Sequence, residues 1–157
     1  MNRMRELLFL GGLVVAFDQL SKYWLLYIYD VSSHTPVVLC EYFSLVMAWN
    51  RGVSFSMFSS HATWVPWALS LLAVSISALL IRLSLRSEQP LERVGYAFVV
   101  GGAMSNVIDR VRFGVVADFF YAHVGNWGWP AFNIADSAIC LGAGVLLFLA
   151  LKKPAKS

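Results

Sequence analysis

The chain has few charged residues and almost no cysteine. Charged side chains make up 13% of its 157 residues, whereas hydrophobic side chains make up 59%. Soluble domains carry about 25% charged residues, so this composition predicts an integral membrane protein. The two cysteines, Cys40 and Cys140, exclude a disulfide-rich scaffold and have no metal-binding spacing. The chain is too short for a second domain, so we expect one membrane domain over residues 1–157.

Sequence signatures of several common chemistries are also absent. The three histidines lack ligand spacing to one another or to a cysteine, which argues against a metal site. No Ser-His-Asp, Ser-Lys or Cys-His arrangement stands out, and there is no glycine-rich phosphate loop. The net charge of +3 comes from short basic clusters beside apolar runs, which fits membrane topology better than nucleic-acid binding. We therefore expect no cofactor and no nucleic-acid partner.

Four apolar segments predict an α-helical membrane protein with four transmembrane helices, at about 7–29, 64–85, 94–113 and 133–151. A span needs about 20 residues, and the third and fourth segments reach that length only with their polar ends included. The first segment follows a basic N-terminus, as in a signal peptide. It is longer than the roughly 7–15 residues of a signal-peptide core, so we interpret it as an uncleaved span.

Basic residues predict the orientation of these spans. They cluster at both termini and between the second and third spans: Arg3, Arg5, Arg82, Arg86, Arg93, Lys152, Lys153 and Lys156. An even number of spans places all three clusters on one face, so both termini are predicted to be cytoplasmic. The segments at about 30–63 and 111–132 then face outward. Two β-prone runs and a turn at 50–52 predict a small extramembrane β-cradle over about 31–60.

With this topology, polar residues scattered along the sequence converge at the outer end of the spans. Charged groups at membrane depth are costly, so they indicate a functional site by default. The set comprises Asp18, Lys22, Asn106, Asp109, Arg110, Asn133 and Asp136, with Asp118 just outside the third span. Two carboxylates brought together can share a proton and activate water without a metal, which makes Asp118 and Asp136 the leading candidates.

Structural roles remain open for most of these residues. Asp18 and Lys22 are four residues apart and can neutralise each other on one helix face. Asn133 and Asp136 fit the capping box of a helix N-terminus. In the third span, Asp109 and Arg110 can form an interfacial ion pair. Asn106 can form a hydrogen bond to another helix. Asp118 has no such alternative, since its apolar and aromatic neighbourhood contains no cation.

Five sequence blocks resemble the motifs of the lipoprotein signal peptidases, or signal peptidase II, in order and in spacing. They are DQLSK at 18–22, WNRGVSFS at 49–56, GGAMSNVIDR at 101–110, VADF at 116–119 and FNIADS at 132–137. The blocks extend over nearly the whole chain. Two positions depart from the family pattern: Ser105 stands where a glycine is common, and Ala117 where a valine usually precedes the aspartate.

The resemblance implies a bacterial intramembrane aspartyl endopeptidase that removes signal peptides from prolipoproteins. That family cuts just before a diacylglyceryl-modified cysteine, on the periplasmic side of the cytoplasmic (inner) membrane, and is the target of the cyclic peptide globomycin. Its catalytic aspartates match Asp118 and Asp136. Its supporting residues match Asp18, Lys22, Asn50, Gly52, Asn106, Asp109, Arg110, Asn133 and Ala135. One chain has all the groups needed, so we expect a monomer.

The mechanism we expect uses one ionised and one protonated aspartate, facing each other across a water molecule. We expect Asn50 and Arg51 to contact the substrate or its lipid headgroup on the outer side. An ion- or proton-coupled transporter with the same acids as a relay is the main alternative, and a structural membrane-assembly factor is a second. A transporter predicts a polar path to both faces, which the apolar inner halves of the second and fourth spans argue against.

Overall fold

The computed structural model describes residues 2–52, 64–125 and 127–152. Five helices and four strands follow one another in it: α1 (Arg3–Tyr23, continued by a π-helical turn, Trp24–Ile28), α2 (Val31–His34), β1 (Val37–Cys40), β2 (Phe43–Asn50), α3 (Val65–Arg86), α4 (Pro90–Phe113), β3 (Val116–Val124), β4 (Trp127–Gly128) and α5 (Ile134–Lys152). The part of the predicted cradle from residue 53 to residue 60 lies outside the described residues. A helical fold with a small antiparallel sheet is therefore confirmed.

Four of these helices have the length that a bilayer requires. Two of them, α3 and α5, are also apolar enough to qualify as membrane spans by composition. The other two, α1 and α4, have 21 and 24 residues and carry charged side chains that they bury inside the bundle. At about 1.5 Å per residue, each of these four long helices can cross a hydrocarbon core of about 30 Å. The four-span arrangement itself stays a prediction.

Helix α4 lies at the centre of the bundle and packs against α1, α3 and α5. Glycines allow its backbone to approach its neighbours closely. A Cβ atom on Gly101 would lie 2.6 Å from the carbonyl oxygen of Gly11, and a Cβ atom on Gly102 would collide with the carbonyl oxygen of Ala135. The start of α5 therefore rests directly on α4.

The sheet joins the two segments predicted to face outward. Its order is β1-β2-β3-β4, and β2 pairs with β3 so that Ala48 lies opposite Asp118. The β3 segment was not predicted as a strand, because its first four residues are all buried and lack the alternation of a half-exposed strand. Leu25 of the π-helical turn packs with Ala117 and Phe119 of β3, which fixes the sheet on the end of α1.

Candidate active site

Asp118 lies near the start of β3 and is 1% exposed. Each of its carboxylate oxygens accepts a hydrogen bond from a side-chain amide. Oδ2 accepts from Nδ2 of Asn50 at 2.9 Å, and Oδ1 accepts from Nδ2 of Asn133 at 2.7 Å. The pKa of Asp118 is raised to about 6, mainly because the side chain is buried and also because the Asp136 carboxylate is near, although the two amide donors oppose that rise.

Asp136 lies in the first turn of α5 and belongs to the predicted capping box. The backbone N–H of Asp136 donates to Oδ1 of Asn133 at 2.9 Å, and the backbone N–H of Asn133 donates to Oδ2 of Asp136 at 3.2 Å. The other carboxylate oxygen of Asp136 accepts from Nδ2 of Asn106 at 2.8 Å. The predicted cap is therefore formed, and the same contacts fix the carboxylate of Asp136.

Asn133 connects the two aspartates. Its side-chain nitrogen contacts Asp118, and its backbone nitrogen contacts Asp136. The same side-chain nitrogen also donates to Oδ1 of Asn106 at 3.2 Å. The predicted convergence of Asp118, Asp136, Asn106 and Asn133 is thus found in the structure. Two carboxylates fixed around shared amide groups form an arrangement that can position and activate a water molecule.

Beneath these residues lies a buried ion triad. The ammonium group of Lys22 lies 2.6 Å from Oδ2 of Asp18 and 2.7 Å from Oδ2 of Asp109, and all three side chains are at most 3% exposed. The ion pair between Asp18 and Lys22 is therefore formed, as the spacing allows. The partner of Asp109 is Lys22 of α1 rather than the adjacent Arg110.

Each acid of the triad also holds a backbone amide next to one aspartate of the site. The N–H of Ala135, the residue before Asp136, donates to Oδ1 of Asp18 at 2.9 Å. The N–H of Ala117, the residue before Asp118, donates to Oδ2 of Asp109 at 3.2 Å. One ammonium group thus holds together two carboxylates that anchor β3 and α5 at the positions where the site residues begin.

The turn after β2 brings Asn50 to the site. Gly52 has φ +91°, and its N–H donates to Oδ1 of Asn50 at 2.7 Å, which leaves the Asn50 nitrogen for Asp118. This backbone conformation favours glycine, and a Cβ atom on Gly52 would also displace the end of the Leu69 side chain of α3. Arg51, between these two residues, is exposed.

Arg110 borders an apolar groove next to the site. Its Nη1 donates to the carbonyl oxygen of Asn106 at 3.4 Å, and its Nε has no hydrogen-bond partner among the described residues. The groove has a volume of ≈ 290 Å³ and lies between α3, α4 and α5. Apart from Arg110 and Asn106 it is lined by apolar side chains, among them Leu69, Leu72, Ile76, Val99 and Ile139.

Two further polar residues belong to this network and were missed as site residues. Ser105 donates to Oδ2 of Asp18 at 2.7 Å, and Gln19 donates to Oδ1 of Asp109 at 2.8 Å. The position of Ser105, four residues before Asp109 on one face of α4, is a signal that could have identified it. No group of His, Cys, Asp and Glu side chains suited to a metal ion occurs within residues 2–52, 64–125 and 127–152.

Comparisons with known proteins identify the family of this chain. The model of the family described as Signal peptidase (SPase) II matches residues 10–152. A lipoprotein signal peptidase of Azoarcus sp. (strain BH72) is 41% identical over 92% of this chain and 82% of its own length. One from Yersinia enterocolitica is 39% identical over 95% of this chain and 88% of its own length.

Two solved structures of bacterial membrane enzymes share the fold. One superimposes with a TM-score of 0.78 at 23% identity, covering 97% of this chain and 94% of the other. The second gives a TM-score of 0.75 at 24% identity, with 96% and 94% covered. At these identities the likeness concerns the fold alone. The family match and the two sequence relatives show that the chain belongs to the signal peptidase II family.

Proposed function

We propose that this member of the signal peptidase II family removes signal peptides from prolipoproteins, as an aspartic-type endopeptidase. The observation that carries the proposal is the junction at Asn133, whose two nitrogens contact the carboxylates of Asp118 and Asp136. A peptidase needs either a group that activates water or a nucleophilic side chain. This carboxylate pair is the candidate for that group, because it lies beside an apolar groove that suits a lipid-modified segment.

The environments of the two carboxylates suggest their protonation states. Asp118 is almost fully buried, and its raised pKa of about 6 favours proton binding, so we assign it the proton that the pair shares. Asp136 is only half-buried, accepts two N–H donors and lies in the first turn of a helix, where the dipole favours negative charge. We assign it the ionised form that acts as general base.

The proposed reaction proceeds without an acyl-enzyme. The water oxygen bonds to the scissile carbonyl carbon while Asp136 takes a proton from that water. Asp118 gives its proton to the carbonyl oxygen. The resulting gem-diol collapses when Asp136 passes its proton to the amide nitrogen. The carbon–nitrogen bond then breaks, and a gem-diol hydroxyl returns a proton to Asp118, which restores both carboxyl groups.

The remaining residues hold this pair or the substrate. Asp18, Lys22 and Asp109 position the backbone before each aspartate through the amides of Ala135 and Ala117. The Nε of Arg110, which has no hydrogen-bond partner among the described residues, can donate to a substrate carbonyl at the edge of the groove. Asn50 orients Asp118, and the exposed Arg51 can reach a lipid phosphate on the outer side.

We propose that the chain acts in the bacterial inner membrane. The chain is one domain of four spans in the bacterial inner membrane, with both termini cytoplasmic and the sheet and active site on the periplasmic side. It acts as a monomer on a diacylglyceryl-modified prolipoprotein in the bilayer, and globomycin-type cyclic peptides compete for its site. The transporter alternative is not supported, since the chain belongs to a family of peptidases.

Paired peptides test the substrate class. Two prolipoprotein peptides that differ only in the diacylglyceryl group on the cysteine are incubated with the purified protein in detergent and EDTA. We expect cleavage of the modified peptide immediately before its cysteine, and little cleavage of the unmodified one, as seen by mass spectrometry. Equal cleavage of both peptides would contradict the proposed substrate class, and no cleavage of either would contradict the peptidase function itself.

A further inference from the structure

We infer that Ser105 and Gln19 are positioning residues for the proposed reaction, because they form a neutral bridge between Asp18 and Asp109 in addition to Lys22. The inference rests on the proposed function, since it concerns the two acids that hold the backbone of the aspartate pair.

The bridge consists of three hydrogen bonds. The Nε2 of Gln19 donates to Oδ1 of Asp109 at 2.8 Å and to Oγ of Ser105 at 3.1 Å. Since the serine hydroxyl accepts from Gln19, its own proton is directed to Oδ2 of Asp18, at 2.7 Å. The amide orientation of Gln19 is fixed in turn by Arg112, whose Nη1 donates to the Gln19 oxygen at 3.4 Å.

The charge of the triad explains why the bridge is needed. Two carboxylates and one ammonium group leave one net negative charge, and Asp18 and Asp109 are both 0% exposed. A buried carboxylate requires donors at both oxygens. Among the described residues, Gln19 is the donor to Oδ1 of Asp109, and Ser105 shares Oδ2 of Asp18 with Lys22.

The bridge affects chemistry through the backbone. Asp18 holds the amide of Ala135 through its other oxygen, and Ala135 precedes Asp136. When the Ser105 hydroxyl is lost, Asp18 can rotate about its side-chain bonds and the first turn of α5 is less tightly fixed. Neither Ser105 nor Gln19 borders the apolar groove, so we expect kcat to fall while KM changes little.

Four variants test the bridge with the lipidated peptide. Ser105→Ala removes only the hydroxyl, and we expect a kcat about tenfold lower, the effect of losing one hydrogen bond to a charged group. Ser105→Thr retains a hydroxyl and should restore most of kcat. Gln19→Met keeps the length of the side chain without its polar atoms. In the double variant Ser105→Ala/Gln19→Met, the losses of kcat from the two substitutions should overlap rather than multiply, because both residues act through the same bridge.

Ser77→Ala is the matched control. Ser77 is also a buried helical serine, at 2% exposure, but its hydroxyl has no hydrogen-bond partner among the described residues. We expect its kcat and thermal unfolding to match those of the wild type. Unfolding temperatures of all variants are measured in the same detergent, so that a general loss of stability is recognised.

Several results would overturn the inference. Unchanged kcat in Ser105→Ala would do so, as would effects of Ser105→Ala and Gln19→Met that multiply independently. A loss of kcat matched by the same loss in Ser77→Ala would reduce the role of Ser105 to helix packing. If the wild type does not cleave the lipidated peptide at all, the proposed function fails and the inference falls with it. If the wild type cleaves the peptide but the variants behave in one of the ways above, the inference alone fails.

Discussion

The side-chain nitrogen of Asn133 lies 2.7 Å from a carboxylate oxygen of Asp118, so a helix-capping residue is also a direct contact of a buried acid. The other end of the same amide caps α5 by accepting from Asp136. One side chain thus fixes the start of a helix and sets two carboxylates in relation to each other.

The two roles of Asn133 can be separated by substitution. Serine is an N-cap about as good as asparagine but has no second amide end to reach Asp118. Asn133→Ser should therefore keep the helix cap while kcat falls by more than about tenfold, since a hydrogen bond to a carboxyl group is lost. Asn133→Ala should show the same activity loss and, in addition, about 1 kcal/mol lower stability. Wild-type turnover in Asn133→Ser would show that capping is its only role.

Removal of the triad's cation should destabilise the fold. Lys22→Met leaves Asp18 and Asp109 buried without a counter-charge, and breaking a buried ion pair in this way costs about 3–5 kcal/mol. Thermal unfolding in detergent measures the loss. Lys152→Met, at an exposed position at the end of α5, is the control and should change stability far less. The double variant Lys22→Met/Asp109→Asn should regain part of the stability, and equal instability of single and double variants would argue against the triad.

Close packing at the start of α5 predicts a sharp contrast between two glycines. Gly102→Ala places a methyl group against the carbonyl oxygen of Ala135, so α5 must shift where it carries Asp136, and both activity and unfolding temperature should fall. Gly144 is also helical but has open space around its Cβ position. Gly144→Ala should raise stability by roughly 0.5–1 kcal/mol and leave activity unchanged. Equal behaviour of the two variants would contradict the packing described here.

The raised pKa of Asp118 predicts how its contribution to stability depends on pH. Its ordinary value is 3.8 and its value in the fold is about 6, so the folded state binds this proton more tightly than the unfolded state does. The contribution is fully present below pH 3.8 and is lost as pH rises through 6. As pH rises from 3.8 to about 6, Asp118→Asn should therefore become progressively more stable relative to the wild type. A stability difference that does not vary with pH would contradict the shift.

Much of this site could be predicted because its residues obey helical spacing. Asp18 and Lys22 share a face, and Asn133 and Asp136 fit a cap, so their pairing required no tertiary information. The convergence of these groups with Asp118 followed from topology, since alternate spans place their outer ends at one depth. The motif resemblance then indicated which of the acids to prefer.

Other features depend on tertiary contacts that the sequence does not encode locally. Arg110 is the nearest cation to Asp109 in sequence, but the partner of Asp109 is Lys22 on another helix. The amides of Ala117 and Ala135 are backbone groups, so their side chains carry no sign of their roles. Strand β3 was missed because a strand buried at its start lacks the alternating pattern that identifies half-exposed strands.

The central claim is that Asp118 and Asp136 together carry out hydrolysis without a metal. Turnover of the lipidated peptide in EDTA by the wild type, Asp118→Asn and Asp136→Asn tests it most directly, with Asp30→Asn as an exposed aspartate control. We predict cleavage by the wild type and Asp30→Asn, and none by the two site variants, while all four unfold cooperatively. Near-normal turnover by either folded site variant would contradict the claim and return that aspartate to a structural role.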